Sequence, residues 1–211
     1  MTFYLDLLGQ KQRGGWHALS TSTDWQGWLF QVVPKTLNAR VRRHLHSNLK
    51  HILVGLEMKA GLIVPHGERG RGAGYLFEPY FQMLIFEFNV GVFSICEGLG
   101  AALHLAAVAD DGAAGPRVAP ADWVAALRDR FDPGGGPGLE QKVAAVKTVR
   151  DKLHQDRVAL RPDIDWHDLG YPAFINATEA LQMLLADNVD RVPRTTNLIE
   201  LPPDKEEDEQ P

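Results

Sequence analysis

The feature that most constrains the fold is a long apolar stretch in the middle of the chain, residues 75–108. Wound as a helix it is apolar on nearly every side, which is typical of a central helix that other helices cover. Polar residues interrupt it, so no uncharged run reaches the roughly 18 residues of a membrane span. These residues are Glu87, Asn89, Glu97 and His104. We therefore predict a buried core helix and expect no association with a membrane.

Helical periodicity also marks the segments on both sides. Apolar residues recur at three- and four-residue spacing in residues 35–64, 139–160 and 172–187. Shorter helices are predicted before Pro34 and up to Phe131, the second with Asp122 as its cap. The predicted core positions include Leu45, Leu49, Ile52, Leu53, Leu56, Leu139, Val143, Val146, Val149, Leu153, Phe174, Ala177, Leu181, Leu184 and Leu185. Because strand patterns are nearly absent, we predict an all-α fold, an up-and-down bundle of about four principal helices plus short helices.

The remaining segments divide the chain into three parts. Residues 1–22 lack clear periodicity and are predicted to form an irregular N-terminal arm. Residues 23–190 are predicted to form a single helical domain, and residues 191–211 an acidic disordered tail. The glycine-rich residues 65–74 are expected to be a loop. The tail carries much of the net charge of −5, which leaves the body near neutral.

The single cysteine and the spacing of the histidines limit which metal sites and disulfides are possible, and the first residues bear on the cellular location. A single cysteine, Cys96, excludes an internal disulfide or a cysteine metal cluster and fits a reducing compartment. The first residues lack the basic region, apolar core and cleavage site of a secretory signal, so we expect a cytoplasmic protein. His44 and His51 could share a helix face, but no third ligand is apparent. We therefore expect no metal and no other cofactor.

Four polar residues near the end of the helix predicted at 139–160 form one stripe. Lys147, Arg150, His154 and Arg157 follow at helical spacing and share one face. An arginine can hold a phosphate through two hydrogen bonds, while a histidine that titrates near neutral pH moves a proton. This pair suits cleavage of a phosphodiester, and RNA is favoured because its 2′-hydroxyl is a built-in nucleophile. The alternative is a solvated, basic helix end whose cations favour the helix dipole.

The segment "RDKLHQDR", residues 150–157, ends the penultimate long helix of the predicted bundle and resembles the motif of the HEPN superfamily. The resemblance covers residues 36–187, with Arg150 as the arginine, Asp151 as the polar second position and His154 as the histidine. Three residues separate Arg150 from His154, one fewer than is usual in the family. Many members are metal-independent ribonucleases of prokaryotic toxin–antitoxin, abortive-infection and CRISPR defence systems. The resemblance thus implies RNA as substrate, a homodimer that builds the site, and an antitoxin or other protein partner.

A basic run at the start of the first long helix is a second candidate surface. Its members are Arg40, Arg42, Arg43, His44, His46, Lys50 and His51. Such a face can bind backbone phosphates without sequence choice, and its affinity falls as salt rises. The alternative is that this run is only the solvated face of an amphipathic helix.

Glu97 is a candidate for a supporting role, because it lies with Glu87 on a polar sector of a helix that otherwise reads as buried. A buried glutamate must be neutral or paired, and Arg150 or Arg157 would be its natural partner. Glu97 would then orient the arginine. The alternative is that this sector faces solvent or a second copy of the chain.

Together these patterns predict an HEPN-like metal-independent endoribonuclease or RNA-binding protein. Arg150 would hold the scissile phosphate and His154 would act as general acid or base. The strand would be bound and steered by Lys147, Arg157, Arg40, Arg42, Arg43 and Lys50. The alternative function is a catalytically inactive helical module that binds and regulates a protein partner.

Overall fold

A computed structural model describes residues 22–69, 78–134, 138–152, 166 and 169–185. They form six α-helices, α1 (Ser22–Val32), α2 (Ala39–Arg69), α3 (Glu78–Ala107), α4 (Pro120–Phe131), α5 (Gly138–Asp151) and α6 (Tyr171–Leu185). No strand occurs among these residues, which confirms the predicted all-α bundle. Residues 1–21 of the predicted arm and the tail at 191–211 lie outside the described residues.

Helix α3 is the centre of the bundle, because α2, α4, α5 and α6 all pack against it. Its buried side chains occupy about half of its circumference at 100° per residue and include Ile85, Phe88, Val92, Ile95 and Leu99. The prediction of a core helix is confirmed. By length and composition α3 is also the one helix of the described part that could cross a membrane, a property that it shares with core helices of bundles.

Helix α2 begins and ends later than its pattern predicts. It begins at Ala39 because the Asn38 Oδ1 accepts the N–H of Arg40 at 2.9 Å and so caps the first turn. It runs through Pro65 to Arg69, so the predicted end near Val64 and a loop from residue 65 are wrong. A proline removes one backbone hydrogen bond, but Ile63, which is completely buried, holds this end of the helix on the core.

The helices after α3 start at positions set by local backbone chemistry. Pro120 begins α4 after Ala119, which makes no side-chain cap bond, so the predicted cap by Asp122 is wrong. Proline suits a first helical position because its missing N–H would have no partner there. The Asp132 Oδ2 accepts the N–H of Leu139 at 3.1 Å and caps the start of α5. The predicted core positions of α6 are all buried, with Phe174 edge-on to Phe88 at 4.8 Å.

One close approach fixes how α3 and α4 cross. A Cβ atom added at Gly100 would lie 2.5 Å from the backbone oxygen of Trp123 and 3.0 Å from a Leu127 side-chain carbon. Both distances are well inside ordinary van der Waals contact. Glycine therefore allows the two helix backbones to approach, and the Trp123 ring packs edge-on against Phe93 at 5.7 Å.

Candidate functional site

Most of the described residues that the sequence singled out lie on two surfaces, and the first is the C-terminal turn of α5. The Arg150 Nη1 lies 2.8 Å from one oxygen of the Asp151 carboxylate, and the Lys147 Nζ lies 2.5 Å from the other. The Arg150 guanidinium also lies over the ring of Phe93 on α3, 4.8 Å from its centroid. A cation over an aromatic face is held electrostatically as well as by packing. Arg150 therefore has a defined orientation.

Asp151 changes the charge of this surface. Its partial burial raises the pKa of the carboxyl, but hydrogen bonds and positive charge from Lys147 and Arg150 outweigh that effect and hold the pKa below its ordinary value of 3.8. Asp151 is thus ionised at neutral pH and offsets part of the positive charge of its two neighbours. A phosphate that binds Arg150 would have to compete with this carboxylate.

His154, the predicted catalytic histidine, lies outside the described residues, and so does Arg157. Helix α5 ends at Asp151, where the Lys152 N–H donates to the Val149 carbonyl oxygen at 3.2 Å, a three-residue turn. The prediction that this helix continues without a break to residue 160 is therefore wrong at Lys152. Residues 153–160 lie outside the described residues, and the shared face of Arg150 and His154 stays a prediction.

Glu97 does not have the buried position that its expected supporting role requires. Its side chain is exposed on α3, so the prediction of a buried carboxylate paired with an arginine is wrong. Glu87 on the same sector is also exposed and lies 3.4 Å from the Lys59 Nζ. The alternative that this sector faces the surface is confirmed for both glutamates. An apolar stretch of sequence cannot indicate which side of a helix is left uncovered.

The second surface is a groove of about 350 Å³ between α1 and α2, which we call the α1/α2 groove. It is lined by Gln26 and Phe30 from α1 and by Ala39, Arg42, Arg43, His46, Ser47 and Lys50 from α2. Three of the predicted substrate-binding cations, Arg42, Arg43 and Lys50, therefore share one groove. Arg40 is exposed and is not among the lining residues. None of the described residues that line the groove carries a carboxylate.

Helix α1 is held on α2 by a buried polar pair that sequence reasoning missed. Glu57 is completely buried, and its Oε2 accepts a hydrogen bond from the Trp25 Nε1 at 3.3 Å. Among the residues that the structure describes, the buried glutamate is thus on α2 and not on α3. Trp28 and Leu29 of α1 are also buried. Because these contacts fix one side of α1 against the core, its other side forms a wall of the groove.

His46 lies inside the groove wall with both ring nitrogens buried and without a hydrogen-bond partner among the described residues. Its ring contacts that of Phe30, with the centroids 4.8 Å apart. Loss of hydration lowers the pKa of His46 below its ordinary value of 6.5, and the charge of Arg42 lowers it further. The imidazole is therefore neutral at pH 7 and packs against Phe30 largely as an apolar ring.

Phe30 is the functional candidate that the sequence did not indicate. The side chain is 56% exposed, although it belongs to the helix whose tryptophans are buried. Gln26 and Phe30 are one turn apart and follow the polar side of α1, a pattern that could have drawn attention to an aromatic residue outside the core stripe.

In the described part of the chain, no three His, Cys, Asp or Glu side chains lie close enough together to hold a metal ion. His51, considered with His44 as a metal ligand, has its Nδ1 2.6 Å from the Ser47 carbonyl oxygen. No protein-family model, curated protein or solved structure matches this chain significantly.

Proposed function

We propose that this protein binds RNA through the α1/α2 groove. The observation that carries the proposal is the placement of Arg42, Arg43 and Lys50 along one groove whose described lining residues include no carboxylate. Such a row of cations attracts a polymer with many phosphate groups. Counterions released from the nucleic-acid backbone then drive binding.

The spacing of the cations favours a polymer over a single phosphate. Arg43 and Lys50 are seven residues apart on α2, which is about 10 Å at the rise of an α-helix. They would therefore contact different phosphates of one strand. Arg42 donates from its Nη1 to the Lys35 carbonyl oxygen at 3.3 Å, which leaves other guanidinium donors for a ligand.

Binding of single-stranded RNA at several salt concentrations tests this proposal. The variants Arg43→Gln and Lys50→Gln should each weaken binding and lower the slope of log affinity against log salt by about 0.7 per lost phosphate contact. Arg117→Gln, which removes an exposed arginine from the loop between α3 and α4, is the matched control and should bind as the parent does. Equal losses for Arg43→Gln and Arg117→Gln would mean that only net charge matters and would contradict the proposal.

Metal-independent RNA cleavage is the second candidate, supported by the fixed orientation of the Arg150 guanidinium between Asp151 and Phe93. In this proposal His154 takes the proton of the RNA 2′-hydroxyl, whose oxygen attacks the adjacent phosphorus. Arg150 neutralises the charge that develops there, and Asp151 orients Arg150. The bond to the 5′-oxygen breaks, a proton returns to that oxygen, and a 2′,3′-cyclic phosphate remains. Lys147 and Arg157 would bind the flanking phosphates.

The resemblance to HEPN proteins supports a cleavage site shared by two copies of the chain, in the cytoplasm of a prokaryotic cell, within a defence or toxin–antitoxin system. Incubation of the protein with RNA in EDTA tests the chemistry. Cleavage by the parent but not by Arg150→Ala or His154→Ala would support it, and a dimer in solution would support the shared site. Intact RNA together with a stable protein complex would favour the alternative, a catalytically inactive module that regulates a protein partner.

A further inference from the structure

We infer that the α1/α2 groove takes a single-stranded segment of nucleic acid, with an unpaired base stacked on the ring of Phe30 and flanking phosphates on Arg43 and Lys50. This inference rests on the proposed function and specifies the form of the ligand. It assigns a binding role to Phe30.

Phe30 is exposed beside positive charge. Burying an exposed phenyl ring is favourable, yet 56% of Phe30 is exposed at the edge of a groove lined with cations. Exposed aromatic side chains next to basic residues are the usual elements of surfaces that bind single strands, where bases stack on rings and cations follow the backbone.

The Phe30 ring is held in place before a ligand arrives. His46 packs against Phe30, with centroids 4.8 Å apart and planes inclined at 48°. The imidazole itself is fixed on the long helix α2, and α1 is fixed by the Trp25 to Glu57 hydrogen bond. A platform with little freedom to lose on binding makes stacking more favourable.

The size of the groove limits the shape of the ligand. A groove of about 350 Å³ is at the small end of ordinary ligand sites, enough for one nucleotide unit and too small to admit a duplex. Bases inside a duplex are already stacked on their neighbours, so they cannot also cover the Phe30 ring. An unpaired base can, and the strand on either side of it then passes the cations of α2.

The test compares two polyanions that differ in their bases. Parent and variant proteins are titrated with an oligouridylate of roughly 12 nucleotides and with inorganic polyphosphate of similar charge. Phe30→Leu, which keeps apolar bulk but removes the aromatic face, should weaken oligouridylate binding by roughly 5- to 150-fold, the range of base–aromatic stacking. The same variant should bind polyphosphate as the parent does. Phe30→Trp should restore or strengthen oligouridylate binding.

Controls separate this inference from the proposed function. Tyr80→Leu removes another exposed aromatic ring, outside the groove on α3, and should leave both affinities unchanged. Arg43→Gln should weaken the binding of both oligouridylate and polyphosphate. If Arg43→Gln weakens binding while Phe30→Leu matches the parent, the stacking inference is overturned and the groove still binds RNA. If an RNA duplex binds as tightly as the single strand, the inference also fails. If the parent binds neither polyanion, the proposed function fails with it.

Discussion

Cys96 lies on the buried side of α3 with its side chain completely enclosed. Burial raises the pKa of its thiol to about 12, because the thiolate would lose its hydration there. Since the thiolate is the reactive form, this side chain belongs to the core and not to a redox or catalytic site.

We predict that native protein does not react with a thiol reagent such as iodoacetamide at neutral pH, whereas unfolded protein reacts fully. The rate of modification can be followed by intact mass with and without urea. Modification of the native protein at the rate of a free cysteine would contradict the buried position of Cys96.

His46 makes the stability of the fold depend on pH. The native state holds its pKa below the value of 6.5 expected in the unfolded chain, so the unfolded state binds more protons between those two values. The stability that the neutral imidazole contributes is present above the unfolded pKa and is lost as the pH falls through the native one.

Replacement of His46 by glutamine should therefore reduce the loss of stability between about pH 7 and about pH 5. Urea unfolding midpoints of parent and variant at both values measure the difference. His44→Gln removes an exposed histidine from the same helix and is the control. An equal loss of stability in the parent and in His46→Gln would contradict a lowered pKa of His46 as the cause of the pH dependence.

At the scale of helices, the arrangement depends on a few contacts between neighbours. The crossing of α3 and α4 depends on Gly100, because a Cβ there would meet the Trp123 backbone at 2.5 Å. A backbone atom cannot move aside as the end of a flexible side chain can. The two helices would have to separate.

Gly100→Ala is therefore expected to lower the free energy of unfolding by about 1–3 kcal/mol, although alanine favours the helical state. Gly27→Ala in α1 is the control, since its added Cβ meets nothing within 4 Å beyond the local backbone of its own helix and its chain neighbours, and it should be neutral or stabilising. Urea denaturation measures both. An unchanged midpoint for Gly100→Ala would show that the crossing is looser than described.

The attachment of α1 to α2 gives a second test at this scale. Glu57→Ala leaves the buried Trp25 N–H without its acceptor and should cost about 1–3 kcal/mol of stability. Glu57→Gln keeps an acceptor oxygen and should cost less. Because α1 forms a wall of the groove, Glu57→Ala should also weaken RNA binding. Stability equal to that of the parent would mean that the Trp25 to Glu57 bond at 3.3 Å does not hold α1.

Helices were predictable from sequence where an apolar stripe repeats at helical spacing, as in α6, or where a long stretch is apolar on nearly every side, as in α3. The end of α2 was not, because a single proline can be tolerated when tertiary packing of Ile63 holds the helix. The cations of the groove could also be predicted, since they lie on one helix. The position of Phe30 on the polar side of α1 was readable from sequence, but its place at the edge of a groove was not, because that depends on how α1 docks. The burial of Glu57 could not be predicted either, because its contact with Trp25 joins residues 32 positions apart.

At the scale of the whole molecule, charge is distributed unevenly. The chain carries a net charge of −5, so overall electrostatics would repel RNA. Binding must then come from a local concentration of cations. The α1/α2 groove provides one, whereas the Arg150 region includes Asp151. Both α2 and α5 pack on α3, so the central helix connects the two candidate surfaces.

The most direct test of RNA binding in the α1/α2 groove is photochemical cross-linking of single-stranded RNA that contains 4-thiouridine, with the cross-linked peptides identified by mass spectrometry. We predict cross-links within residues 26–50, including the peptide that contains Phe30, and their loss at high salt. Cross-links confined to residues 138–152, or to any other surface, would contradict the account.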